Sequence, residues 1–128
     1  MEETVIALMV RPGKRPVITH LCDDGDYLNL AVSVDDCVPL HCAEARPIKR
    51  DVVAICAEQS YALDLEANRR VGKRILSGTF YIAGSKAGKL RSLRKDEIVK
   101  YTSKFWEPEL FTADEVIDSW FDDLFCAL

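Results

Sequence analysis

Arg74-Ile75-Leu76-Ser77-Gly78-Thr79-Phe80-Tyr81-Ile82-Ala83 is the stretch on which the reading of the fold turns. Its alternation is that of a strand: Leu76, Phe80 and Ile82 share one face, and Phe80 is expected to be buried. Gly78, lacking a side chain, lets something pack closely against the strand there. Beyond Ala83 the chain changes character. Gly84 to Leu90 reads as a flexible basic loop. A helix then opens at Ser92 or Arg94, carries Ile98, Thr102, Phe105 and Trp106 as one stripe, and ends before Pro108. The last helix has the clearest start signal in the chain. Thr112 and Glu115 form a capping box, with Phe111 and Val116 as its hydrophobic staple. Val116, Ile117, Trp120, Phe121 and Leu124 make its apolar face.

Upstream of Arg74 the chain reads mainly as strand. Val5 to Val10 is apolar on both faces, which suits a central strand covered on both sides. Pro12-Gly13 turns the chain into a second strand, Val17 to Leu21, antiparallel to the first. Asp23-Asp24-Gly25-Asp26 offers a cap for a short helix over 24–33, in which Tyr27, Leu28, Ala31 and Val32 recur at helical spacing. Val38 to Ala43 reads as a strand that Pro39 confines to an edge or to a strand start. Arg46 to Arg50 is a charged connector, Val52 to Ala57 an inner strand, Tyr61 to Leu65 a short segment, and Glu66 to Lys73 a polar loop. The order is not a regular βαβ alternation. The expected fold is α+β: two layers, with a small, mainly antiparallel sheet, a short N-terminal helix and two C-terminal helices.

At 128 residues the chain is expected to form a single domain, 1–128. Within it, 6–109 would be the α+β core and 110–128 an appended acidic amphipathic helix. Hydrophobic residues at 48% and charged residues at 30% describe a globular rather than a disordered chain. No apolar run reaches the roughly 18 residues of a membrane span. Met1-Glu2-Glu3-Thr4 is acidic, whereas a signal peptide starts basic, so a cytoplasmic protein is expected. The five cysteines are an odd number without a Cys-x-x-Cys pair, which suits reduced thiols.

Charge is segregated along the chain. Residues 69–104 hold 11 Lys+Arg against 2 Asp+Glu, while the residues on either side are acidic and bring the whole chain to −4. Such a block can offer a basic surface to phosphates. The binding candidates are Asn68, Arg69, Arg70, Lys73, Arg74, Lys86, Lys89, Arg91, Arg94 and Lys95. The competing reading is a solvated face of weak ion pairs. In a third, Asp114, Asp118, Asp122 and Asp123 of the last helix fold back and mask the block. Trp120, Phe125 and Leu128 widen that helix's stripe and are candidate contacts for a protein partner or a homodimer.

No catalytic signature stands out. Gly84-Ser85-Lys86-Ala87-Gly88-Lys89-Leu90 resembles a phosphate loop. Only three residues separate its glycines, and Leu90 stands where Ser or Thr would hold magnesium. His20, Cys22, Cys37, His41 and Cys42 match no common zinc spacing. No sequence pairs a cysteine with a histidine base. Asp23-Asp24, Asp35-Asp36 and Asp122-Asp123 read as turns, caps and solvated faces. Neither metal nor cofactor is expected, and the chain reads as non-enzymatic.

Five short segments, in order, resemble a known family. They are Val10-Arg11-Pro12-Gly13-Lys14; Val52-Val53-Ala54-Ile55-Cys56-Ala57-Glu58; Leu65 with Asn68-Arg69; Ile75 to Gly84 around Gly78-Thr79-Phe80; and Ser92-Leu93 leading to Ile98, Tyr101 and Phe105. Together they resemble the domain of unknown function 3846 family, small proteins of phages and mobile elements of Gram-positive bacteria. Ala57 replaces that family's usual Asn, Val32-Ser33-Val34 stands where it often has a Gly-Gly pair, and the helix from Thr112 lies beyond the match. The resemblance implies a cytoplasmic accessory protein and no catalytic residues. The leading expectation is a non-enzymatic binding protein with a protein partner. The alternative is a nucleic-acid binder using 69–104, and a small metal or cysteine enzyme comes last.

Overall fold

The computed structural model describes residues 3–23, 43–57, 66–87 and 89–126. Eight strands are followed by two helices: β1 (Glu3–Val10), β2 (Val17–Asp23), β3 (Ala43–Lys49), β4 (Val52–Ala57), β5 (Ala67–Val71), β6 (Arg74–Ser77), β7 (Phe80–Lys86), β8 (Lys89–Arg91), α1 (Lys95–Lys104) and α2 (Ala113–Cys126). The main sheet has six strands in the order β2-β1-β7-β4-β3, with β8 also pairing β7; β5 and β6 form a separate two-stranded ladder. Every pairing is antiparallel.

The α+β class, the antiparallel sheet and the two C-terminal helices stand. The N-terminal helix does not: among the described residues both helices follow the last strand. Asp23, read as part of a helix cap, instead closes β2 opposite Glu3, so ladder pairing takes the place of capping there. The rest of the supposed helix, 24–33, lies outside the described residues, as do 38–42 and Tyr61 to Leu65.

Three further readings change. The single strand over Arg74 to Ala83 is broken at Gly78, whose φ of 76° no strand accommodates. Its first half pairs β5 and its second half enters the main sheet between β1 and β4. Leu76, Phe80 and Ile82 nevertheless reach the same core, as their alternation predicts. The charged connector over Arg46 to Arg50 is largely β3, because β4 offers it a partner at each step from Ala43 to Pro47. The polar loop over Glu66 to Lys73 contains β5, whose buried polar side chains have internal partners.

The sheet is buried on both faces, as the unbroken apolar runs of β1 and β4 require. Leu8, Val10, Val52, Ala54, Phe80 and Ile82 face α1 and α2, packing with Leu93, Tyr101, Phe105, Val116 and Trp120. Val5, Ala7, Leu21, Val53, Ile55, Tyr81, Ala83 and Leu90 form the second cluster. Phe80 and Phe105 meet edge to face, with centroids 5.5 Å apart. At the start of α2, Thr112 N–H donates to Glu115 Oε1 (2.9 Å) and Glu115 N–H to Thr112 Oγ1 (3.2 Å), the reciprocal box read from the sequence. Helix α2 is seated on β6 by its own side chains. Ile75 N–H donates to Ser119 Oγ (3.0 Å), and Trp120 Nε1–H donates to the Ile75 carbonyl (2.8 Å).

Candidate anion-binding site

The structure sorts the basic residues of 69–104 into three groups. The first lies in the interior. Asn68 and Arg69 are 0% and 1% exposed. Asn68 Nδ2 donates to the carbonyls of Val10 and Gly78, both at 2.9 Å. Arg69 donates to the Phe105 carbonyl through Nε (3.2 Å) and Nη2 (2.9 Å), to the Lys14 carbonyl (2.6 Å), and to Asn68 Oδ1 (2.7 Å). This pair ties the end of β1, the β1–β2 turn, the Gly78 break and the C-terminus of α1 to one point. Burial pushes the Arg69 pKa down and Glu109 opposes that shift. The guanidinium stays charged, held by carbonyl dipoles at the negative end of a helix.

The second group is neutralised by carboxylates. Arg91 grips Glu97 with two parallel bonds (Nη1 to Oε1, 2.9 Å; Nη2 to Oε2, 3.0 Å) and reaches the Asp51 carbonyl and carboxylate, both at 3.0 Å. It lies across Gly84, where a Cβ would come within 2.5 Å of its side chain. Gly84, read as the start of a phosphate loop, is thus a buried residue of β7. Glu97 also accepts from Arg94 N–H (2.7 Å) and from Arg94 Nη2 (3.3 Å). The Arg91 hydrogen bonds chiefly hold its carboxyl down at about 2, against the opposing cost of burial. Arg94 itself is more than half exposed. Lys86, Lys89 and Lys95 are exposed on the β7–β8 hairpin and the first turn of α1.

The third group makes a site. A pocket of about 200 Å³ is walled by Arg46 of β3, by Lys73 of the β5–β6 turn and Arg74 at the start of β6, and by Lys104 of α1; Pro47, Ile48, Val71 and Gly72 complete it. Among the described residues, four cations line it. Local geometry explains the convergence. Val71 pairs Arg74 across a two-residue turn, and Gly72 supplies the positive φ of 64° that such a turn needs. A bulge between Pro47 and Lys49 sets Lys49 opposite Val52, on the face that Arg46 shares with Ala54. Trp120 of α2 lies against two of the cations, its ring centre 4.3 Å from the Arg74 guanidinium and 5.9 Å from that of Arg46. Beside the pocket Lys49 meets Lys100. Contact with Lys49 is the largest cause pushing the Lys100 pKa down, with Lys104 adding to it. Cations crowded in this way gain when an anion sits among them.

Sequence reasoning found Lys73 and Arg74 but missed Arg46, Lys49, Lys100 and Lys104 as partners. Arg46 and Lys49 lie outside the basic block, and only the packing of β3 against the β5–β6 hairpin and α1 brings them in. Arg70 stands aside: its N–H donates to Glu109 Oε2 (2.8 Å) and its guanidinium lies 5.7 Å from the Phe111 ring centre. Of the partner-contact candidates, Trp120 is buried. Phe125 falls in α2 without a described side chain, and Leu128 is outside the described residues. His20 is exposed on β2, while Cys37, His41 and Cys42 are not described. No group of His, Cys, Asp and Glu among the described residues is placed to hold a metal. No described helix is long and apolar enough to cross a membrane.

Residues 4–106 match the family model described as Domain of unknown function (DUF3846). No curated protein and no solved structure gives a match. The chain belongs to the DUF3846 family, found in proteins of phages and mobile elements.

Proposed function

We propose that this DUF3846 protein is a non-enzymatic accessory protein of a phage or mobile element. It acts in the cytoplasm and binds nucleic acid by seating backbone phosphate in the pocket between Arg46, Lys73, Arg74 and Lys104. The observation that carries this reading is the convergence of Arg46, Lys73, Arg74 and Lys104, among the described residues, from segments distant in sequence. At about 200 Å³ the pocket is below the range of drug-sized ligand sites, but ample for a phosphate group and its waters. Lys49 and Lys100 alongside would meet a neighbouring phosphate, which favours a polymer over a single free anion. Contacts of this kind position the backbone and carry no sequence information, so binding should be indifferent to base order.

The test is fluorescence anisotropy with labelled single- and double-stranded oligonucleotides across a salt series. Binding should weaken steeply as salt rises, with a slope set by the phosphates neutralised. Lys73→Glu combined with Lys104→Glu should weaken it by at least about tenfold. Both residues are exposed, so the fold should be unaffected. No binding at low salt, or binding untouched by the double variant, overturns the proposal and returns the weight to a protein partner.

A further inference from the structure

The two edges of the main sheet are built differently. At one edge, β3 carries Arg46, Pro47 and Lys49 and a bulge, all devices that discourage a further strand. At the other edge, β2 (Val17–Asp23) carries no proline, no bulge and no charge before Asp23. It pairs β1 without a break from Val17 to Asp23, and β1 is its one strand neighbour among the described residues. Val17 and Ile18 are 40% and 58% exposed on it.

Hydrogen bonding in the neighbouring strand shows which backbone groups β2 turns outward. Ile6 N–H donates to Ser92 Oγ, and the Ile6 carbonyl accepts from Leu93 N–H, both at 2.9 Å. Both polar groups of Ile6 therefore point away from β2. Ile6 and its register partner His20 are a non-hydrogen-bonded pair. In such a pair the second residue also turns its N–H and C=O away, here to the side on which β2 has no partner strand among the described residues. By alternation, Ile18, His20 and Cys22 present the outward donors and acceptors.

We infer that this edge pairs with the same edge of a second copy, antiparallel about a twofold axis at His20. That register sets Ile18 opposite Cys22 and His20 opposite His20, so that each outward group meets another outward group. A twofold contact requires this kind of self-complementarity. Charge fits as well. Arg11, Lys14 and Arg15 precede β2, while Asp23 ends it. Antiparallel pairing brings the basic end of each strand to the acidic end of the other. The two sheets then run on as one across the axis. The dimer so formed does not use the C-terminal helix, whose Trp120 is committed to the core.

Sedimentation equilibrium over a concentration series tests this. The unaltered protein should dimerise. Ile18→Lys and His20→Lys, each acting twice across the axis, should raise the dissociation constant by at least about tenfold, with circular dichroism unchanged. Val99→Lys, on the exposed face of α1, should leave association intact. A protein that stays monomeric throughout, or a dimer that survives both β2 variants or falls apart with the α1 variant, overturns the inference. Nucleic-acid binding by the monomeric variants reports on the pocket separately.

Discussion

Arg69 grips the carbonyl of Phe105 through two nitrogens, Nε at 3.2 Å and Nη2 at 2.9 Å, joining β5 to the residue that caps the C-terminus of α1. The cation stands where the helix dipole is negative and satisfies a carbonyl the helix leaves over. Replacing Arg69 with Met keeps much of the bulk and strands three acceptor oxygens, on Phe105, Lys14 and Asn68. The expected cost is about 3 kcal/mol or more, a large share of a domain's stability, read from urea unfolding. Arg69→Lys should recover little, because one ammonium cannot present the planar fork.

Glu97 makes stability depend on acid. Its carboxyl sits at about 2 against an ordinary 4.5, so the folded state releases the proton that the unfolded state would hold. The stabilisation is full above pH 4.5 and is lost as pH falls toward 2. Its size is of the order of 3 kcal/mol for this nearly buried group. Glu97→Gln should lower stability at neutral pH and flatten the fall between those two pH values, measured by thermal melts across pH.

Gly84→Ala tests the same cluster from the opposite side. The added methyl meets Arg91 Cγ and Nη1 at 2.5 Å, so Arg91 must leave its place between Asp51 and Glu97. A loss of about 1–3 kcal/mol is expected. Because both changes dismantle one set of bonds, Gly84→Ala with Glu97→Gln should cost less than the sum of the two.

Tyr101→Phe should stabilise the protein. The Tyr101 hydroxyl is buried without a hydrogen-bond partner among the described residues, and burial, the main cause, pushes its pKa up. Removing an unsatisfied buried hydroxyl recovers roughly 1 kcal/mol of desolvation cost, visible as a higher urea midpoint.

What the residues alone disclosed was local. Thr112 and Glu115 are three positions apart, and their box needs nothing from the rest of the chain. Val5 to Val10 is apolar on both faces and needs a cover on each, which places it inside the sheet. Asn68 and Arg69 looked like surface residues because their partners, at 10, 14, 78 and 105, are remote in sequence. Asp23 read as a cap because its own segment offers no sign of Glu3 across the ladder. The basic block was visible as a count, but its division into a core pin, an ion-paired cluster and a pocket depends on tertiary packing. Arg46 joins Lys73 and Arg74 only through tertiary packing, since β3 and the β5–β6 hairpin belong to different sheets.

The seat of α2 on Ile75 has a practical corollary. The family boundary falls at residue 106, yet Val116 and Trp120 fill part of the interior, and Ser119 and Trp120 complete the hydrogen bonding of Ile75. An expression fragment trimmed to the matched segment would present bare strand backbone and a greasy hollow to solvent, and should precipitate.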